Sequence, residues 1–279
     1  MGVIRLIGLI GLIGLIRLYN QDLTRVLWHL LTMKKIYFIS DLHLGAKTLK
    51  SPRETEMRVV EWLDSVKESA SAIYMLGDIL DYWFEYRCVV PRGFTRFFGK
   101  IAELTDRGVE VHWFIGNHDI WIFDYLPSEL GVTLHRESIV TELGGKRFYL
   151  GHGDGEGKRS FGFLFIRWLF RNRVCQKLYS AIHPRWSVPF AHGWSSNSRK
   201  AGGETPKFGN DENNPLVVWA TEFNSKPDKK IDFFVFGHQH LLFCRPLTSG
   251  GEIVLIGDWI SHLSYAEFDG NEISLKSFK

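Results

Sequence analysis

Short apolar runs that end in small or polar residues recur along the chain. They are Ile36–Ile39, Ala72–Leu76, Val111–Ile115, Arg147–Leu150, Asp232–Phe236 and Glu252–Ile256. Their length and their content of Val, Ile, Tyr and Phe predict buried β-strands. Between the first two runs, Ser51-Pro52-Arg53-Glu54 reads as a capping box with Pro at the first helical position, and Met57, Val60, Leu63 and Val66 follow at helical spacing. A second helix is predicted from about Phe94, with Phe97, Phe98, Ile101 and Leu104 on one face and a stop near Gly108. The N-terminal half thus alternates strand and helix, as an α/β protein does. Further along, Leu216–Phe223 predicts another helix, and Asp269-Gly270-Asn271 the turn of a closing hairpin.

Two segments depart from this pattern. Residues 3–18 repeat a Gly-Leu-Ile triplet, and their uncharged run from Leu6 to Ile16 falls short of the ~20 apolar residues that span a bilayer. No Ala precedes Ala46 to make a signal-peptide cleavage site, and Leu6 stands where a myristoylation signal needs Ser or Thr. Met33 then opens MKKIYFIS, the first strand. The expectation is a fold that begins at Met33, with residues 1–32 a disordered or mis-assigned extension; a short membrane-surface anchor is the rival reading. Residues 158–203 carry nine basic residues and no acidic one, interleaved with Phe161, Phe163, Phe165, Trp168, Phe170, Tyr179, Trp186, Phe190 and Trp194. This stretch reads as a helical insertion into the α/β domain of residues 33–279.

Composition narrows the classes. With 279 residues, 45% hydrophobic and 23% charged, the chain is neither disordered nor a coiled coil. Cys88, Cys175 and Cys244 form no C-x-x-C pair, which argues against a thiolate zinc site or a disulfide framework and favours a reducing compartment. A net charge of +3 is too small to suggest a nucleic-acid partner.

The candidate chemistry lies just beyond the strands. Five of the runs lead into Asp41-Leu42-His43, Gly77-Asp78, Gly116-Asn117-His118-Asp119, Gly151-His152-Gly153-Asp154 and Gly237-His238-Gln239-His240. A lone D-x-H or G-D says little, and a single buried His is more often a satisfied core residue than a ligand. Five such clusters at strand ends are different, because the ends of neighbouring strands converge in space. The glycines in four of them let the backbone turn and approach an ion closely. Nitrogen and oxygen donors without Cys suit Mn²⁺, Fe or Zn²⁺.

The order D-x-H, G-D, G-N-H-D, H, G-H-x-H resembles that of the calcineurin-like metallophosphoesterase family, over about Lys34 to His262. The resemblance implies an α/β fold, a four-layer α/β/β/α sandwich with a two-metal site at one edge, here with a helical lid insertion. It implies Asp41, His43, Asp78 and His240 on one divalent ion and Asp78, Asn117, His152 and His238 on the other, with Asp78 bridging. Mn²⁺ is the first expectation for both ions, with Fe or Zn as alternatives. Two cations ~3.5–4 Å apart would hold the phosphoryl oxygens and lower the pKa of a water between them. His118, not a ligand in the family pattern, is placed to contact those oxygens or protonate the leaving group. Asp119 and Asp154 are expected to orient ligand histidines, helix capping being the alternative for Asp119.

Within that family, Leu76–Trp83, His152-Gly153-Asp154, Ser195–Lys200 and Gly257-Asp258-Trp259 resemble the UDP-2,3-diacylglucosamine diphosphatases of lipid A synthesis. That resemblance implies an acylated nucleotide-sugar substrate, split to UMP and a diacylglucosamine 1-phosphate. Ser195, Ser196, Asn197, Arg199 and Lys200 would then contact sugar and phosphates. It also implies a peripheral protein on the anionic cytoplasmic surface of the bacterial inner membrane, held by the basic and aromatic insertion. Well-known members carry Arg where this chain has His118. The alternatives are hydrolysis of another nucleotide or phosphodiester, and a non-catalytic membrane-associated scaffold.

Overall fold

The computed structural model describes residues 34–46, 49, 51–157, 161–191, 193, 209 and 212–279. One sheet holds β1 (Lys35–Ile39), β2 (Ala70–Leu76), β3 (Glu110–Phe114), β4 (Thr133–His135), β10 (Ser264–Phe268) and β11 (Ile273–Ser277). Their order is β11-β10-β1-β2-β3-β4, with β1 to β4 parallel and β10 and β11 antiparallel. The second sheet holds β5 (Ile139–Leu143), β6 (Lys146–Leu150), β7 (Phe233–Phe236), β8 (Leu242–Pro246) and β9 (Glu252–Ile256). Its order is β5-β6-β7-β9-β8, with β6, β7 and β9 parallel.

Strand alternation builds the layers. In β1, Ile36 and Phe38 join the core between the sheets, while Tyr37 and Ile39 join the core beneath the helices. In β7, Phe233 and Val235 face the first sheet, while Phe234 and Phe236 pack with Leu216, Val217 and Ala220 of α6 (Pro215–Asn224). On the far side, α1 (Pro52–Val66), α2 (Thr95–Asp106) and α3 (Tyr125–Leu130) bury Trp62, Leu63, Phe97, Ile101 and Leu126 against the first sheet. Three cores therefore separate four layers, in the order helix, sheet, sheet, helix. Strands buried on both faces read as unbroken apolar runs, which is why they were visible in the sequence.

The six predicted strands and three predicted helices are present, with bounds shifted by one or two residues at most ends. The capping box is not formed: Ser51 precedes α1, but its side chain makes no cap bond. The short elements α3, β4, β5 and β8 were not predicted. In the insertion, α4 (Phe161–Arg171), α5 (Arg173–Ser180) and helical residues 184–191 follow one another, and neither α4 nor α5 has a fully buried residue. Residues 1–32, expected to be an extension, lie outside the described residues, as do Ser195, Ser196, Asn197, Arg199 and Lys200. Among the described residues no helix is long and apolar enough to cross a membrane.

Candidate metal centre

The five clusters follow the carboxyl ends of β1, β2, β3, β6 and β7, so both sheets deliver their loops to one edge. Asp41, His43, Asp78, His238 and His240 all adopt φ between 44° and 66°. Left-handed backbone is unfavourable for residues with a Cβ, and clustered strain of this kind marks functional loops. Hydrogen bonds hold it: Asp41 N–H donates to Gly77 O (3.1 Å) and His43 N–H to Asp78 O (3.0 Å). Two glycines are sterically required. A Cβ on Gly116 would stand 2.1 Å from Asp78 Oδ1, and one on Gly237 would stand 1.9 Å from Ser40 Oγ.

Each central carboxylate is divided between scaffold and site. Asp41 Oδ2 accepts from Ser40 Oγ and from His238 N–H (2.9 Å). Its Oδ1 is buried without a hydrogen bond, 3.3 Å from His240 Nε2 and 3.7 Å from His43 Nε2. Asp78 Oδ1 accepts from His118 N–H (2.8 Å). Its Oδ2 lies 3.3 Å from His152 Nε2, 3.9 Å from His43 Nε2 and 4.0 Å from His118 Nε2. Asn117 Oδ1 is 3.1 Å from His152 Nε2. Potential ligand atoms of Asp41, His43 and His240, and separately of Asp78, His152 and His238, lie within 4.8 Å of one another. Carboxylate oxygens ringed by imidazole nitrogens fit two divalent cations: the donors are of the right type, and the buried Asp41 Oδ1, without a hydrogen bond, needs a positive partner.

The local field is strongly negative. Burial alone would lower His43 and His240, but the surrounding carboxylates outweigh it and raise them to about 9 and about 10. His152 is likewise raised, burial being outweighed chiefly by Asp78. In return, despite burial, Asp41 is held low mainly by His240, and Asp78 by His152 and His118. His238 is pushed down to about 4 by burial and by the charge on His152. A field that holds protons on histidines this firmly also attracts dications, which compete for the same lone pairs.

Outside the ligands, the partners differ from expectation. Asp119 touches no histidine: Oδ1 accepts from Gly116 N–H (2.7 Å) and Oδ2 from Ile79 N–H (3.1 Å), tying the loop after β3 to the loop after β2. Nor does it cap a helix. Burial and the neighbouring Asp78 charge raise its carboxyl to about 6. Asp154 Oδ2 lies instead 3.2 Å from Arg167 Nε of α4. The orienting carboxylates are Asp81 and Asp258, neither of which the sequence had singled out for that role. Asp81 Oδ1 lies 3.6 Å from both His43 Nδ1 and His118 Nδ1. Asp258 Oδ2 is 3.6 Å from His240 Nδ1 and 2.9 Å from His262 Nδ1. Each lies on the Nδ1 side of a candidate ligand whose Nε2 faces the centre, where His43 Nε2 and His240 Nε2 are 3.3 Å apart, the side from which a carboxylate usually orients a metal-binding imidazole. The only sequence signals were spacing, Asp81 three residues after Asp78, and the strand-end pair Gly257-Asp258.

The insertion rests on these loops. Tyr179 Oη meets Tyr82 Oη (3.1 Å), Trp121 Nε1 donates to Phe170 O (2.9 Å), and Ser187 Oγ meets Tyr86 Oη (2.5 Å). Arg167 and Arg171 both pair with Glu137, so these two of the nine basic residues are engaged within the protein rather than free to grip a ligand. The outward face is apolar: Phe161, Trp168, Trp186 and Phe190 are 85%, 57%, 70% and 66% exposed.

Fold and centre together define a metallophosphoesterase: the chain belongs to the calcineurin-like phosphoesterase family, which it matches over residues 34–242. It is a hydrolase. More particularly, it is 46% identical over 259 residues to a UDP-2,3-diacylglucosamine hydrolase of Porphyromonas gingivalis, covering 88% of this chain and 98% of that one. The enzyme of the same name from Neisseria gonorrhoeae is 28% identical over 241 residues, covering 84% of this chain and 92% of the other. Among solved structures, the E. coli phosphoesterase Yfce aligns with 87% of this chain and 92% of its own at 16% identity and a TM-score of 0.44.

Proposed function

We propose that this chain hydrolyses the pyrophosphate of UDP-2,3-diacylglucosamine to UMP and 2,3-diacylglucosamine 1-phosphate, with two Mn²⁺ ions, as a peripheral protein of the cytoplasmic face of the inner membrane. The carrying observation is the coexistence of clustered potential metal ligands with an insertion whose apolar face is open, an arrangement suited to a phosphate that bears acyl chains. The Porphyromonas relative, matched over nearly its whole length, supports the same substrate.

Bound at the centre, two divalent cations would supply charge neutralisation for the pyrophosphate and a water acidic enough to attack at neutral pH. Asp41 and Asp78 would hold that positive charge, the oxygens left over from their scaffold bonds facing the centre. Asp81 steadies the Nδ1 side of His118, so that Nε2 faces the Asp78 carboxylate. As the phosphorus–oxygen bridge breaks, its electron pair leaves with one phosphate, and His118 Nε2 is placed to donate the proton that this oxygen needs. The exposed aromatics of α4 and of residues 184–191 receive the acyl chains or the bilayer interface. Ser195, Ser196, Asn197, Arg199 and Lys200 are assigned to the sugar and phosphates by resemblance.

The test is UMP release from UDP-2,3-diacylglucosamine with Mn²⁺, set beside unacylated UDP-glucosamine and a panel of nucleotides. The acylated substrate is expected to be turned over far faster than the rest. Equal rates on the unacylated compounds would move the activity to a general nucleotide hydrolase, and no release from any would leave a scaffold.

A further inference from the structure

A surface cavity of about 290 Å³ whose lining includes none of the candidate metal ligands lies between the starts of α1 and α2, beside the loop that carries His43. Its lining includes Leu44, Gly45, Glu56 and Phe94, together with Arg53, Arg92 and Arg96. The three arginines come from α1, from the loop before α2 and from α2 itself. No carboxylate pairs with any of them among the described residues, whereas Arg107, Arg167, Arg171 and Arg245 each have one. The single acidic wall residue is already used: Glu56 Oε1 accepts from Arg96 N–H (3.1 Å) and Phe97 N–H (3.2 Å). The helix-start amides are thereby satisfied, so any attraction for a ligand comes from the arginine side chains. Three guanidinium charges against one carboxylate leave +3 − 1 = +2 around one concavity.

The walls are built to stay open. Phe94 holds φ at 60°, and its ring packs over Gly45, where a Cβ would come within 2.8 Å of Phe94 Cζ. Trp83 and Phe98 flank the same ring at 6.4 Å and 5.8 Å. The approach to the cavity along the chain is Tyr86 to Gly93. That segment touches the insertion through Tyr86 and Ser187 and exposes Val89 by 55%.

We propose that Arg53, Arg92 and Arg96 form a binding site for a phosphate-bearing anion, separate from the two-metal centre, and that its occupant is an acidic phospholipid headgroup. Guanidinium groups match phosphate oxygens in geometry and charge, and unpaired arginines converging from separate elements supply several donors at once. The segment that leads into the cavity is bonded to the insertion through Tyr86 and Ser187 and exposes the apolar Val89, and an apolar neighbour of this kind favours the headgroup over a soluble phosphate. The inference rests on the membrane reading above but not on the substrate.

The test uses the full, Mn²⁺-loaded chain and compares R53Q/R92Q/R96Q with R147Q/K226Q/K229Q, which removes equal charge from exposed positions elsewhere. Flotation with phosphatidylcholine vesicles, with and without phosphatidylglycerol, is the first readout. Amide exchange at residues 92–98 with added glycerol phosphate is the second. Both variants are expected to melt like the wild type. The cavity variant is expected to lose most of the phosphatidylglycerol-dependent binding, at least several-fold, while the control keeps it. Glycerol-phosphate protection that vanishes in the cavity variant without any vesicle effect would assign the site to a soluble phosphate and overturn the headgroup. Equal losses in the two variants, or no loss and no protection, would overturn the site altogether. UMP release assayed on detergent-dispersed substrate is expected to be the same in wild type and cavity variant; its absence from both would count against the proposed substrate and leave the vesicle result standing.

Discussion

Replacing Asp78 by Asn keeps its shape and removes the charge that faces three imidazoles across the centre. The expected outcome is a fall in turnover of several orders of magnitude and loss of bound metal, with an unchanged far-ultraviolet spectrum. Normal turnover with two bound ions would remove Asp78 from the bridging position. His118→Ala is expected to behave differently, keeping both ions while kcat drops by roughly 10²–10⁴-fold, the usual cost of one acid or charge-stabilising group. Metal loss in that variant would make His118 a ligand. At this scale the candidate ligands were legible because each lies in a short loop that begins at the end of an apolar run. Asp81 and Asp258 were not, because orienting an imidazole from its far nitrogen is a relation in space, and a carboxylate three residues after Asp78 or one at a strand end does not by itself point to a histidine elsewhere in the chain.

Among the elements, α4 has no buried residue, so its apolar side chains are available for a test that spares the core. Phe161, Phe165 and Trp168 changed together to Ser are expected to cut liposome binding and turnover of the acylated substrate several-fold at an unchanged melting temperature. If hydrolysis of a small soluble diester fell in the same proportion, the insertion would be acting on the centre rather than on acyl chains. A second expectation concerns the pairing of β3 with β4, where His112 Nδ1 meets His135 Nε2 at 3.0 Å. Burial and the nearby His112 lower His135 to about 4; burial lowers His112 as well, against the pull of Glu110. A depressed histidine stabilises fully above its unfolded value of about 6.5, and the contribution fades as the pH falls from there towards 4. Urea midpoints of wild type and His135→Gln should therefore draw together between pH 7 and pH 5; a constant gap would refute the assignment. Sequence made the central strands plain, but not β4 and β5. At these sheet edges β5 alternates half-buried and exposed positions and β4 is only Thr-Leu-His, so polar residues break any apolar run. The capping box failed for a related reason: local pattern proposes a bond that the tertiary setting of Ser51 does not form.

For the molecule as a whole, each ion would take donors from both sheets: Asp41, His43 and Asp78 meet His240, and Asp78 and Asn117 meet His152 and His238. Two metals would clamp the sandwich along one edge. An ion at a hundred times its dissociation constant adds about 2.7 kcal/mol of stability, and 1 kcal/mol moves the melting temperature of a chain this size by roughly 2–4 °C. Chelation is thus expected to lower the melting temperature by at least about 5 °C, reversed by Mn²⁺. An identical melt with and without chelator would mean that the ions do not bridge the sheets. The same cross-sheet donor sets bear on synthesis. A ribosome has made β1, β2 and β3 long before His238 and His240 emerge, so the nascent chain then carries three of the first ion's four donors, two of the second's, and neither complete set. Metal loading therefore waits for the far half of the polypeptide, and a chain cut short before β7 is expected to leave translation with neither centre, however well β1 to β4 have paired.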